Sequence, residues 1–339
     1  MANGLSPLAA GRGSVTLRGM RTLIIGITLT VISLTFLLIP RGAETDDEVP
    51  RGPERTTKCM VWKAERGKAT VWLCGSIHLL RESDYPLPAP YLKAFEEAAT
   101  VVMELPPGAM DEPATRQTMV AAGRLPEGKT LQDTVGGKTW DALTAWSGRS
   151  GMSTAILQPM KPWMAGISIS VLTYERLGFS TSRGMESWFT ERLGKRQSLG
   201  LETPTGQLRL FDKIDAATQE EMIRQAIDEE KNAGDRIKQL LAAWHEGDAP
   251  QLAALMDEGM AEFPGVKKLL LDDRNAAWIP EIQKHLDGTA TVMVLVGSGH
   301  LAGKGGVVDL LEQKGVRLTQ QEYRTTRLAP AAAGKHCNL

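Results

Sequence analysis

The sequence predicts an α/β (α+β) fold: a mixed central sheet opened by a β-hairpin, flanked by helices and carrying a helical insertion. Three observations lead there. Two β-prone arms, 60–64 and 69–73, flank the turn Glu65-Arg66-Gly67-Lys68. Short apolar runs at 100–103, 197–201 and 291–296 are separated by segments of helical spacing. The second hairpin arm and the 291–296 run enter matching turns, Gly75-Ser76-Ile77-His78 and Gly297-Ser298-Gly299-His300.

Residues 1–22 carry Arg12, Arg18 and Arg21 with no acidic residue and lead into the uncharged run 23–39, which Pro40 ends. A basic leader before an apolar run is a sorting signal rather than part of a globular fold. At about 1.5 Å per residue the run measures roughly 25 Å, enough for a thin or locally adapted bilayer. It reads as a signal anchor or a signal peptide, and Arg41 favours the anchor by interrupting a small-x-small cleavage site. The leader then stays cytoplasmic and the rest lies across the cytoplasmic membrane, in the periplasm; a cleaved signal would make it secreted. Residues 40–57, rich in Pro, Gly and charge, read as a linker.

The folded domain is expected over 58–325. After the hairpin, a helix is expected at 91–99, then the strand 100–103 ending at Glu104, with Pro106-Pro107 as a stop. The insertion, 110–180, reads as helical but is broken by Pro159 and Pro162, and its Trp140, Trp146, Trp163 and Met164 read as core or pocket lining. A short helix at 184–194 and a strand at 197–201, ending at Glu202, follow. Apolar spacing over 216–245 predicts one long amphipathic helix or a helical pair. Asp272 and Asp273 are placed to cap a helix running through Trp278 to Leu286, which Gly288 ends. A helix at 307–313 and a strand around 316–318 close the domain, and 326–339 is a tail.

With 339 residues, 42% hydrophobic and 23% charged, the chain can build one large or two modest cores. Its 39 basic and 40 acidic residues give a net charge of -1, which supplies no global attraction to nucleic acid. Three cysteines make no disulfide framework. Cys74 reads as a buried strand residue, while Cys59 and Cys337 stand near the two ends of the fold and are a disulfide candidate in an oxidising compartment.

The chain has five histidines, and His78 and His300 hold the same place in the two matching turns. In an open α/β sheet the carboxyl ends of strands line the ligand crevice. Four expected strands end there in a functional side chain: His78, Glu104, Glu202 and His300. Two imidazoles with carboxylates suit zinc, manganese, cobalt or a related divalent ion, which would activate a bound water and leave one carboxylate as general base. Ser76, Ser298 and Glu202, on the same edge, are candidates for substrate contacts. A phosphate loop fails because Ser298 and Gly305 stand where Gly and Ser or Thr are required. No His-Glu-x-x-His helix and no Gly-x-Ser-x-Gly elbow is present.

From the hairpin to Gly306 these segments resemble the TraB/GumN family, which includes the TIKI-type metalloproteases. The likeness covers roughly 60–320. It rests on Gly75-Ser76-Ile77-His78, Glu104, Gly184-Met185-Glu186, Leu199-Gly200-Leu201-Glu202-Thr203 with Gln207, Arg274-Asn275, and Val296-Gly297-Ser298-Gly299-His300-Leu301. The resemblance implies a fold like that of ChaN-like haem-transport proteins and erythromycin esterases. It makes His78 and His300 metal ligands, Glu104 a ligand or base, and Glu186 a further acidic candidate. Arg274 would neutralise a substrate carboxylate or oxyanion, and Asn275 would orient it. The expected function is a metal-dependent hydrolase of peptide or amide bonds acting on a peptide or protein outside the cytoplasm. The alternatives are a non-catalytic binder of haem, metal or peptide and a polysaccharide-export accessory protein.

Overall fold

A computed structural model describes residues 51–109 and 112–328. The leader, the run 23–39 and Cys337 lie outside the described residues. Among the described residues, no helix is long and apolar enough to cross a membrane.

The described residues form a six-stranded mixed sheet with strand order β4-β3-β5-β2-β1-β6. The strands are β1 (Arg51–Arg66), β2 (Ala69–Ser76), β3 (Thr100–Met103), β4 (Gln197–Gly200), β5 (Thr291–Gly297) and β6 (Leu318–Arg327). β2, β5, β3 and β4 run parallel, and β1 is antiparallel to both β2 and β6. The hairpin closes with Arg66 opposite Ala69, and Gly67, at φ 60°, supplies the left-handed conformation its two-residue turn needs. β2, β3 and β5 are nearly continuous apolar runs because helices cover both faces of a parallel sheet.

The sheet is wider than its hydropathy indicates. β1 begins at Arg51, so residues 51–57 of the expected linker are strand, and β6 runs to Arg327 rather than stopping near 318. The two pair over this stretch, Arg51 with Arg327 and Thr57 with Tyr323. Polar side chains on both strands conceal a ladder that backbone hydrogen bonds sustain. Cys59 is a free, buried thiol whose Sγ donates to the Gln321 carbonyl.

The insertion is helical as expected, with main helices at Pro113–Ala122, Gly137–Ser150 and Pro162–Arg176. Trp146, Trp163 and Met164 are buried in the core, and Trp140 packs against it. Helix Pro162–Arg176 packs on Ala216–Glu229, and Trp163 stacks on Phe211 at 4.9 Å. The 216–245 segment is the helical pair, broken between Glu229 and Ala233. The expected Asp272/Asp273 cap is absent. A π-helical turn, Lys268–Asp272, runs directly into helix Asp273–Leu286, so Asp272 is helical and caps nothing.

Glu229 ends its helix largely buried, with little solvent to stabilise its charge. Burial pushes its carboxyl up from 4.5 to about 8; Arg236 opposes this and Glu258 adds to it. A folded value above the unfolded one means the unfolded chain releases the proton first. Stability is therefore lost as pH rises from about 4.5 to about 8. Glu229→Gln is expected to gain stability over the natural protein across that window, read as a difference in urea midpoint that widens between pH 5 and pH 8.

Candidate active site

Parallel register assembles the site. Ser76 pairs with Gly297, and Met103 pairs with both Leu295 and Gly200, so β2, β5, β3 and β4 end in one row. The residues that follow are His78, His300, Glu104 and Glu202. Ser298 Oγ donates to the Ser76 carbonyl at 2.9 Å and ties the two turns to each other. Tyr91 and Trp244 both donate to the Gly75 carbonyl, at 2.6 and 2.9 Å, fixing the end of β2 from below. Beyond the strands the ladder continues, with Glu202 N donating to the Glu104 carbonyl at 2.8 Å.

The third carboxylate arrives on a separate element. Helix Met185–Thr190 docks through Met185 N on the Ile77 carbonyl at 3.1 Å. Gly184 allows the approach, since a methyl group there would lie 2.2 Å from the His78 carbonyl oxygen. Glu186 thereby reaches His78, with Oε1 2.9 Å from Nδ1, and the same oxygen accepts from the Ser76 hydroxyl. Glu186 keeps 20% of its side chain exposed, whereas His78, Glu104, Arg274, Asn275 and His300 are all buried. Buried charge must be compensated, and here the compensation is internal.

Arg274 is the hub. Its Nη2 donates to Glu104 Oε2 at 2.6 Å and its Nε to Glu202 Oε1 at 2.8 Å; Nη1 donates to the Leu270 carbonyl and faces His300 Nε2, each at 3.0 Å. The Leu270 carbonyl belongs to the π-helical turn just before Arg274. Glu104 Oε2 accepts also from Gln207 Nε2 at 3.2 Å, and its Oε1 accepts from Gly297 N at 2.9 Å. Glu202 accepts from Trp278 Nε1 at 2.9 Å.

The two histidines are held in different states. Asn275 Nδ2 donates to the Gly305 carbonyl at 3.0 Å, which turns Oδ1 toward His300 Nδ1 at 2.6 Å. Nδ1 must carry the proton, so the Nε2 lone pair faces Arg274. Burial, then Arg274 and then His78, hold the His300 value well below the ordinary range, leaving a neutral ring. For His78, burial pulls the pKa down, yet Glu186 and Glu104 outweigh it and the net shift is upward. Glu186 shifts down; burial opposes this, but His78 and Ser76 favour its anion.

Around Gly297 the polar atoms close in tightly. A methyl group on Gly297 would lie 3.3 Å from both His78 Nε2 and Glu104 Oε1 and 3.7 Å from His300 Cδ2. His78 Nε2 is buried with no hydrogen-bond partner. No group of three or more His, Cys, Asp and Glu among the described residues forms a ready cage, because the free face of His300 meets the Arg274 guanidinium instead. The donor chemistry nevertheless suits a divalent cation. One imidazole nitrogen is unpartnered, a neutral imidazole has its other nitrogen oriented by Asn275, and a carboxylate oxygen lies beside them.

Cys337 lies outside the described residues; of the other sequence-derived candidates, all but Cys59 fall in or beside this cluster. Cys59 lies across the sheet, in β1. The hydroxyls of Ser76 and Ser298 are taken by Glu186 and the Ser76 carbonyl, and Asn275 orients His300. Periodicity marks Trp278 only as a helix residue, yet it donates to Glu202 and packs its ring 4.5 Å from the His300 ring. Its position, one helical turn after Arg274, was the available signal.

Removing the hub should be costly. Arg274→Ala leaves two carboxylates without their counter-cation and is expected to lose about 3–5 kcal/mol at neutral pH, read by urea unfolding. Adding Glu104→Gln should restore part of that loss, and strictly additive losses would contradict the coupling.

Residues 60–320 match the TraB/PrgY/gumN family. No curated protein and no solved structure matches the chain. The match takes in every strand end of the site and most of the sheet, and the chain belongs to the TraB/PrgY/gumN family.

Proposed function

We propose that this protein is a metal-dependent hydrolase of peptide or amide bonds. The observation that carries the reading is the buried, unpartnered His78 Nε2 facing the Gly297 cradle beside Glu104. His78 Nε2, Glu104 and His300 Nε2 would hold the ion, which is manganese, cobalt or zinc, and His300 would join when the guanidinium withdraws from it. Such an ion lowers the pKa of a bound water and polarises a carbonyl.

The chain's own groups supply the rest. Glu186, ionised and partly open to solvent, takes a proton from the attacking water and delivers it to the leaving amine. His78 is held in place by the same carboxylate. Arg274 pairs with Glu104 and Glu202 and supplies positive charge where an oxyanion develops. Asn275 fixes the His300 tautomer. The run 23–39 anchors this domain outside the cytoplasmic membrane, where peptide or protein substrates reach it.

The purified full-length protein is expected to carry a divalent ion by elemental analysis and to cleave peptides in a chelator-sensitive way. Gly297→Ala, whose methyl group fills the cradle, and His78→Ala should lose ion and cleavage by at least about a hundredfold while unfolding cooperatively. A natural protein that binds no ion, or variants that cleave as well as it does, would remove the metal chemistry.

A further inference from the structure

Glu186 sits on a helix of six residues, Met185–Thr190. Isolated helices under about 12 residues are marginal in water, so this one is placed by what surrounds it. Its start is pinned to the His78 turn through Met185, whose N donates to the Ile77 carbonyl at 3.1 Å and whose Sδ accepts from Ile77 N at 3.4 Å. A second hold comes from Tyr85. Its Oη donates to the Arg183 carbonyl at 2.6 Å, and its ring stacks on Trp188 at 6.2 Å with 23° between the planes. Arg183 and Trp188 flank Glu186 in sequence, so one phenol grips the segment on both sides of the carboxylate. Arg192 lies 4.0 Å over the Trp188 ring and donates to the Trp188 carbonyl at 2.8 Å, which fixes that ring from its own segment as well.

Tyr85 must itself be fixed for this grip to work. It follows the 3-10 turn Glu82–Asp84, and the last carbonyls of a helical turn have no partner within it. Arg327, the last residue of β6, supplies the partners. Its guanidinium donates to the carbonyls of Ser83, Asp84 and Tyr85, at 3.1, 2.7 and 2.8 Å, and its Nη1 also faces His245 Nε2 at 3.4 Å. The Arg327 backbone is held in turn by pairing with Arg51, by its N donating to Thr325 Oγ1 at 3.0 Å, and by Arg55 Nη2 donating to its carbonyl at 3.3 Å. A planar fork of N–H groups can serve three carbonyls at once, whereas a lysine ammonium is a compact point charge. The polar extension of β1 and β6 thereby carries Arg327 to the turn that holds Tyr85.

We propose that Arg327 and Tyr85 are positioning residues: Arg327 fixes the turn that carries Tyr85, and Tyr85 holds Glu186 on His78. This relay concerns the Glu186–His78 contact itself and stands whether or not the protein is a hydrolase. In the full-length protein, the proton between His78 Nδ1 and Glu186 is followed by NMR as a far-downfield resonance that Glu186→Gln removes. Its exchange with solvent is expected to quicken about fivefold in Tyr85→Phe and at least as much in Arg327→Lys; fivefold is roughly 1 kcal/mol, the contribution of one neutral hydrogen bond. Tyr323→Phe deletes a bond of the same kind, from Tyr323 Oη to the His245 carbonyl at 3.3 Å, outside the relay, and should leave the exchange unchanged. A natural protein without the resonance, or exchange that quickens no more in Tyr85→Phe and Arg327→Lys than in Tyr323→Phe, would overturn the relay. Peptide cleavage measured on the same samples separates the two readings. In a hydrolase both relay variants lower kcat about fivefold with KM unchanged. Cleavage untouched by either variant overturns the relay and spares the hydrolase reading, while quickened exchange in a protein that cuts no peptide supports the relay and removes the hydrolase reading.

Discussion

Parallel pairing of β2 with β5 is the constraint from which the site follows. The two strands are separated by most of the chain, yet Ser76 lies directly beside Gly297, and each strand ends in the same glycine turn. A slip of one residue would reverse every side chain and send one histidine to the opposite face. The register is fixed because both strands are buried on both faces and because Ser298 bonds to Ser76 across the turns.

That geometry concentrates charge where the sheet is most deeply covered, and the electrostatics follow from it. Three carboxylates and one guanidinium share a small, mostly dry volume, so each group is stable only through its partners. Arg274 satisfies two carboxylates, while Glu186 is stabilised by His78 and Ser76. The histidines consequently separate in function: one is drawn toward its cation by acidic neighbours, and the other is kept neutral by burial and an adjacent arginine. Paired groups whose surroundings push their proton affinities apart are the raw material of acid-base chemistry.

The four strand-end side chains were legible because each follows an apolar run, and the repeated glycine turn marked His78 and His300 as related. The mixed sheet and the helical insertion were legible from periodicity. The β1–β6 extension was not, since Arg51–Lys58 and Leu318–Arg327 are polar and their pairing is a backbone matter. Nor was the π-helical turn at Lys268–Asp272, where two aspartates imitate a helix start while the backbone continues without a break. Arg274 could be named from the sequence, but its place at the centre required a fold that brings Glu104, Glu202 and His300 to it. The tie from Arg327 through Tyr85 to Arg183 left no linear trace, because its members stand 242 and 98 residues apart in sequence.

The central claim is that two distant glycine turns and Glu104 grip one ion, with Arg274 yielding its hold on His300. Anomalous diffraction at the manganese edge, from crystals of the protein grown with that ion, tests it most directly. The account requires a single strong peak bounded by His78 Nε2, Glu104 and His300 Nε2, with the guanidinium turned away from the His300 ring. Full occupancy at some other place, or an empty Gly297 cradle with Arg274 still on His300 at saturating manganese, would contradict it.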